Sequence, residues 1–140
     1  SRGLGDVYKR QCENGQAVAE FLASHPKIAY VNYCGLPGDK YHAVAEKYLP
    51  NGSCGVVSFG VKGGREAAAA FMGHLKIAAI ETHVADARTC CLHPASSTHR
   101  QMNDEQLIAA GVQPDLVRMS CGLEDKNDLI HDIAQALDQI

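Results

Sequence analysis

Arg118-Met119-Ser120-Cys121-Gly122-Leu123-Glu124-Asp125, read together with His93-Pro94-Ala95-Ser96-Ser97-Thr98-His99, decides how this chain folds. The run from Leu116 to Cys121 is apolar and partly β-branched, which predicts a strand stopping at Gly122. Asp125 is placed to cap a helix, because a carboxylate can accept from the unpaired N–H groups of a first helical turn. Beyond it, Leu129, Ile133, Ala136, Leu137 and Ile140 recur as one apolar stripe. His93 closes a second short strand, Thr89 to His93, and Ser96, Thr98 and His99 follow as capping and turn residues. One residue breaks the pattern. Arg118 stands among Leu116, Val117 and Met119, where a planar guanidinium needs a carboxylate or phosphate partner.

Working outward, Ala17, Val18, Phe21 and Leu22 fall at helical spacing from Glu13 on, and Pro26 ends that helix. Residues Ile28 to Tyr33 read as a strand before the turn formers Gly35, Pro37, Gly38 and Asp39. Tyr41, Val44, Ala45, Tyr48 and Leu49 occupy one helical face closed by Pro50-Asn51-Gly52. Ser53 to Val61 is a strand ending at Gly63-Gly64, and an alanine-rich helix runs on to about Leu75. Ile77 to Val84 is a further strand. Asn103 or Asp104 caps a short helix ending at Gly111. The succession predicts an α+β fold, with helices packed on a largely antiparallel sheet.

The 140 residues match one domain with a real core. With 46% hydrophobic and 21% charged residues, the composition is that of a folded globular chain rather than a disordered one. A net charge of -3 and scattered basic residues give no footprint for nucleic acid or an anionic membrane. Neither a membrane span nor a signal-peptide pattern is visible, so the chain reads as cytoplasmic. The six cysteines lack a C-x-x-C pair, which favours reduced, half-buried thiols over a disulfide framework. Cys90, Cys91, His93 and His99 do not have the spacing of a zinc site, and no metal is expected. Gly63-Gly64-Arg65 is a strand-to-helix turn, not a phosphate loop.

Asp6-Val7-Tyr8-Lys9-Arg10-Gln11 is what one frame of a common sequencing adaptor would encode. Residues 1–11 are therefore read as a non-native, adaptor-derived tail, the alternative being a short flexible basic tail, and residues 12–140 as the domain proper.

The combination H-P-A-S-x-T-H, then R-x-S-x-G-x-E-D, then an amphipathic helix resembles the C-terminal end of the Cys/Met metabolism family of pyridoxal-phosphate enzymes. Val31 to Pro37, Tyr41-His42, Lys47 to Pro50, Lys62 to Glu66 and Gln101 to Gln106 resemble its O-acetylhomoserine sulfhydrylase branch. The likeness runs from about Cys12 to Ile140. Cys34 departs from it, because proline is common there.

The resemblance implies the small C-terminal domain of the fold-type I pyridoxal-phosphate fold, with the large cofactor domain outside this chain. It implies γ-replacement of acetate by sulfide or a thiol on O-acetyl-L-homoserine, giving homocysteine or methionine, in a homotetramer. Pyridoxal 5'-phosphate would sit in the large domain. Lys27, Lys40, Lys47, Lys62, Lys76 and Lys126 lie outside the serine- and threonine-rich setting of the cofactor lysine, so no catalytic or cofactor-binding residue is assigned here. Alternatives are a cystathionine γ-synthase or methionine γ-lyase type, a stand-alone amino-acid-binding module without catalysis, and a structural interaction domain.

Three substrate-binding residues follow from the same resemblance: Arg118, His83 and Val84. Arg118 matches the arginine that grips the substrate α-carboxylate, whereas the residues alone equally allow pairing with Glu124 or Asp125. His83-Val84-Ala85-Asp86 matches a turn that commonly reads Ser-Leu-Gly-Asp or Asn-Val-Gly-Asp. His83 brings a titratable ring to a serine or asparagine position, or is simply a satisfied strand-end histidine. Ala85 confines the turn to backbone angles that a Cβ tolerates.

Overall fold

Why the apolar runs lie where they do becomes plain from the sheet, here described in a computed structural model covering residues 4–140. Five strands form it: β1 (Ile28–Asn32), β2 (Val56–Val61), β3 (Ala79–Ile80), β4 (Cys90–Leu92) and β5 (Leu116–Ser120). Their order is β1-β2-β5-β4-β3, antiparallel except for the β3–β4 pair at one edge. The helices are α1 (Leu4–Ser24), α2 (His42–Tyr48), α3 (Gly64–His74), α4 (Asp104–Ala109) and α5 (Lys126–Asp138), with a 3-10 turn at Pro94–Ser96. The α+β architecture and the element order expected from the sequence are both present.

Alternation along the two central strands sorts their side chains. Val57, Phe59 and Val61 of β2, with Val117 and Met119 of β5, are wholly buried and meet α1, α3 and α5. The helices answer with Val18 and Leu22, with Ala68 and Phe71, and with Leu129, Ile133 and Leu137. Phe59 and Phe71 meet edge to face at 5.8 Å between ring centroids. On the opposite face, Ser58 of β2, Arg118 of β5 and Leu92 of β4 stand in one row, because register pairs Ser58 with Arg118 and Arg118 with Leu92. The sheet's second face therefore carries the odd residue.

Several boundaries differ from the sequence reading. Helix α1 does not begin near Glu13: residues 4–11, set apart above as a tail, continue it, and Gln11 is buried. The strand expected over Ile77 to Val84 shortens to Ala79–Ile80, because residues 81–88 leave the sheet as an exposed segment held by other contacts. The stripe on α2 faces outward. Tyr41, Val44, Tyr48 and Leu49 are exposed and only Ala45 is buried. The caps fall as expected: Asn103 forms a capping box with Gln106, and Asp125 accepts from the Asn127 N–H.

Candidate substrate-binding cleft

Arg118 opens into a concavity of about 570 Å³ on the face of the sheet opposite the core. Its walls include Asn32 of β1, Ser58 of β2, Leu92 of β4, Thr82, and Thr98 and His99 from the segment after the 3-10 turn. The guanidinium donates from Nη2 to the Thr82 carbonyl at 2.7 Å. Both acids that the sequence offered as its partners are engaged elsewhere. Glu124 receives the Thr89 N–H and Oγ1–H, each at 2.7 Å, and Asp125 caps α5. Among the described residues no carboxylate pairs with Arg118. A guanidinium has five donors in a rigid fork, so the one contact to Thr82 leaves a bidentate edge for an anion.

The other two expected residues lie beside this cleft rather than in its lining. His83 follows the Thr82 carbonyl that Arg118 holds, but its ring is exposed and its Nδ1 meets Glu81 Oε2 at 3.0 Å. Val84 is also exposed. What the turn brings near Arg118 is the main chain of Thr82. Conversely, Asn32 and Ser58 were not singled out from the sequence. Nothing local marks them, since only strand register sets them beside Arg118.

The motif R-x-S-x-G-x-E acts as a rail under residues 82–89. Arg118 takes the Thr82 carbonyl, and Ser120 Oγ accepts from the Ala85 N–H at 2.9 Å. The Gly122 N–H donates to Thr89 Oγ1 at 2.8 Å, while Glu124 takes both protons of Thr89. Leu123 N–H to the Ala87 carbonyl at 2.8 Å and Gln11 Nε2 to the Asp86 carbonyl at 2.9 Å complete the set. Gly122 is needed for closeness: a Cβ there would lie 2.4 Å from the Ala87 oxygen. Asn14, also buried, braces the end of the rail by donating to the Gly122 and Glu124 carbonyls at 2.9 and 2.8 Å.

Ala85 sits at φ 57°, the sole non-glycine residue with positive φ among those described. A Cβ in the left-handed region costs roughly 1–2 kcal/mol. The turn thus adopts a glycine-type conformation with an alanine in it, and strain is stored beside the cleft.

Five of the six thiols are held in their protonated form. Burial pushes the Cys91 thiol up, and it pushes Cys121 up to about 12. Burial raises Cys12, Cys54 and Cys90 as well. Thiolate is the reactive form, so raised thiols are poor nucleophiles. Cys91 lies in the core, and His93 is locked between Ser96 Oγ and the Pro114 carbonyl, both at 2.8 Å.

Comparison with known proteins places this geometry. A family model described as Cys/Met metabolism PLP-dependent enzyme matches residues 4–138. The chain is 44% identical over 133 residues to an O-acetyl-L-homoserine sulfhydrylase of Leptospira meyeri, covering 94% of this chain and 30% of that protein. It is 43% identical over 130 residues to a homocysteine synthase of Schizosaccharomyces pombe, covering 93% of this chain and 30% of the relative. A crystal structure described as an O-acetylhomoserine (thiol)-lyase of Campylobacter jejuni, holding N'-pyridoxyl-lysine-5'-monophosphate, superposes with a TM-score of 0.88 at 35% identity. That match covers 97% of this chain and 32% of the other. The chain thus spans about a third of the length of the proteins it matches.

Proposed function

Because the chain belongs to the Cys/Met metabolism family of pyridoxal-phosphate-dependent enzymes, we propose that it supplies the amino-acid carboxylate site of an O-acetylhomoserine sulfhydrylase-like enzyme. The reaction is γ-replacement on O-acetyl-L-homoserine: the bond from Cγ to the acetate oxygen breaks and a bond from Cγ to sulfur forms. Sulfide as acceptor gives homocysteine, and methanethiol gives methionine.

One observation carries the reading. Arg118 faces a cleft with no acid of its own, braced by the Thr82 carbonyl so that the rest of its fork is presented to a ligand. A substrate carboxylate bound there by two parallel hydrogen bonds is fixed in orientation as well as position. Ser58, Asn32, Thr98 and His99 provide neighbouring polar atoms, and Leu92, Val56 and Leu116 keep the wall partly apolar. In this reading His83 and Val84 contribute through the backbone of their turn, which forms the rim next to Thr82.

Pyridoxal phosphate supplies an electron sink when bound through a lysine, with an acid at its ring nitrogen. The Arg118 cleft contains neither lysine nor carboxylate, so these residues do not fit as its cradle. We assign the cofactor to sequence outside these 140 residues. The test is Arg118→Ala in the full-length enzyme. The loss of a charge-assisted pair should lower kcat/KM for O-acetyl-L-homoserine about 100-fold while the cofactor absorbance stays. Unchanged kinetics would remove Arg118 from the site.

A further inference from the structure

Residues 81–88 are all exposed and belong to neither helix nor strand, yet they form the rim beside Arg118. Contacts from below fix both ends of the segment. Thr82 is held by Arg118, and residues 86–89 are held by Gln11, Leu123, Gly122 and Glu124. Between these ends, the backbone of residues 83–85 has one hydrogen bond among the described residues, from the Ala85 N–H to Ser120 Oγ. That bond falls on the residue in the left-handed conformation. Ser120 is itself 2% exposed, so its hydroxyl is fixed by the sheet rather than free to follow the turn.

We infer that Ser120 is a positioning residue for substrate binding: its hydroxyl clamps the strained Ala85 peptide and so holds the Thr82–Val84 main chain against Arg118. The inference rests on the reading of Arg118 as the carboxylate-binding group. Without the hydroxyl, Ala85 relaxes toward negative φ, which any residue with a Cβ prefers. The Thr82 carbonyl then shifts, and the guanidinium loses the acceptor that sets its angle. Such a change weakens capture of the carboxylate and leaves the chemistry, which occurs elsewhere, untouched.

The experiment uses the full-length enzyme with O-acetyl-L-homoserine and sulfide. Ser120→Ala should raise KM for the amino acid about tenfold, the size of one lost hydrogen bond, with kcat within about twofold. Amide exchange over residues 82–89 should quicken while β2 stays protected. Ala85→Gly in the Ser120→Ala background should return KM to within about threefold of the parent, since glycine takes positive φ without penalty. A KM and an exchange pattern unchanged by Ser120→Ala would overturn the proposal. So would a fall in kcat at constant KM, the mark of a general folding defect, or insoluble Ser120→Ala enzyme that Ala85→Gly does not rescue. Arg118→Ala, measured in parallel, separates the two ideas. If it leaves KM unchanged, the carboxylate reading fails, while exchange at residues 82–89 still decides whether Ser120 clamps the turn.

Discussion

The Glu124 carboxylate receives two hydrogen bonds from one residue, the N–H and the Oγ1–H of Thr89, both at 2.7 Å. This contact joins the loop after β5 to the start of β4, and it engages one of the two acids that the sequence offered to Arg118. Thr89 is wholly buried, so its N–H has no water to turn to. Glu124→Ala should therefore lower the stability of the chain by roughly 2–3 kcal/mol, read from the urea midpoint, because it orphans a buried donor as well as losing a charge-assisted bond. Glu124→Gln keeps one acceptor oxygen and should lose about half as much. Equal midpoints for all three chains would show that the Thr89 contact carries no stability.

Ala85 gives the opposite sign. Its φ of 57° is a conformation that glycine adopts freely, and Ala85→Gly removes the steric cost. Against that gain stands the extra freedom of glycine in the unfolded chain. The difference leaves a stabilisation of about 0.5–1 kcal/mol by urea unfolding. A lower midpoint for the glycine variant would mean that the turn is not strained.

Much of this was legible from local pattern. The apolar neighbours Val117 and Met119 marked Arg118 as the residue out of pattern, and the caps at Asn103 and Asp125 announced α4 and α5. Local pattern failed where long-range geometry decides. Tyr41, Val44, Tyr48 and Leu49 have helical spacing and do form a helix, but spacing does not say which side is covered, and in this chain that side is open. Ile77 to Val84 has strand character throughout, yet only Ala79–Ile80 pairs, since Arg118 and Ser120 draw the following residues out of the sheet. Asn32 and Ser58 became wall residues only through the register that sets β1, β2 and β5 side by side.

Asp132 is a buried acid among the apolar residues of α5, and no local signal gave it a role. Its two oxygens accept from the backbone N–H groups of Lys76, Ile77 and Ala78 at 2.8, 2.9 and 3.1 Å, tying the segment between α3 and β3 to α5. Three backbone donors depend on one side chain. Asp132→Ala should cost about 3 kcal/mol or more of stability, and Asp132→Asn less, because one amide oxygen remains to accept. Denaturant midpoints rank the variants. An alanine variant as stable as the parent would mean that water replaces the carboxylate at this junction.

The buried thiols set the behaviour of the fold in alkali. Burial pushes Cys121 up to about 12 and raises Cys91, whereas unfolding returns both to the ordinary thiol range near 9. Below about pH 9 both states hold these protons, and the thiols add no pH dependence. Above it the unfolded chain releases them and the folded chain does not, so stability falls as pH rises toward about 12. Each such thiol contributes a slope of up to about 1.4 kcal/mol per pH unit. Tyr30 and Tyr33 are also raised by burial, but their ordinary value of 10.0 delays their share. The window between about pH 9 and 10 therefore isolates the cysteines. Cys121→Ala should flatten the dependence of the urea midpoint on pH in that window by one group's share. A slope identical to the parent's would show that Cys121 titrates in the folded chain as it does in water.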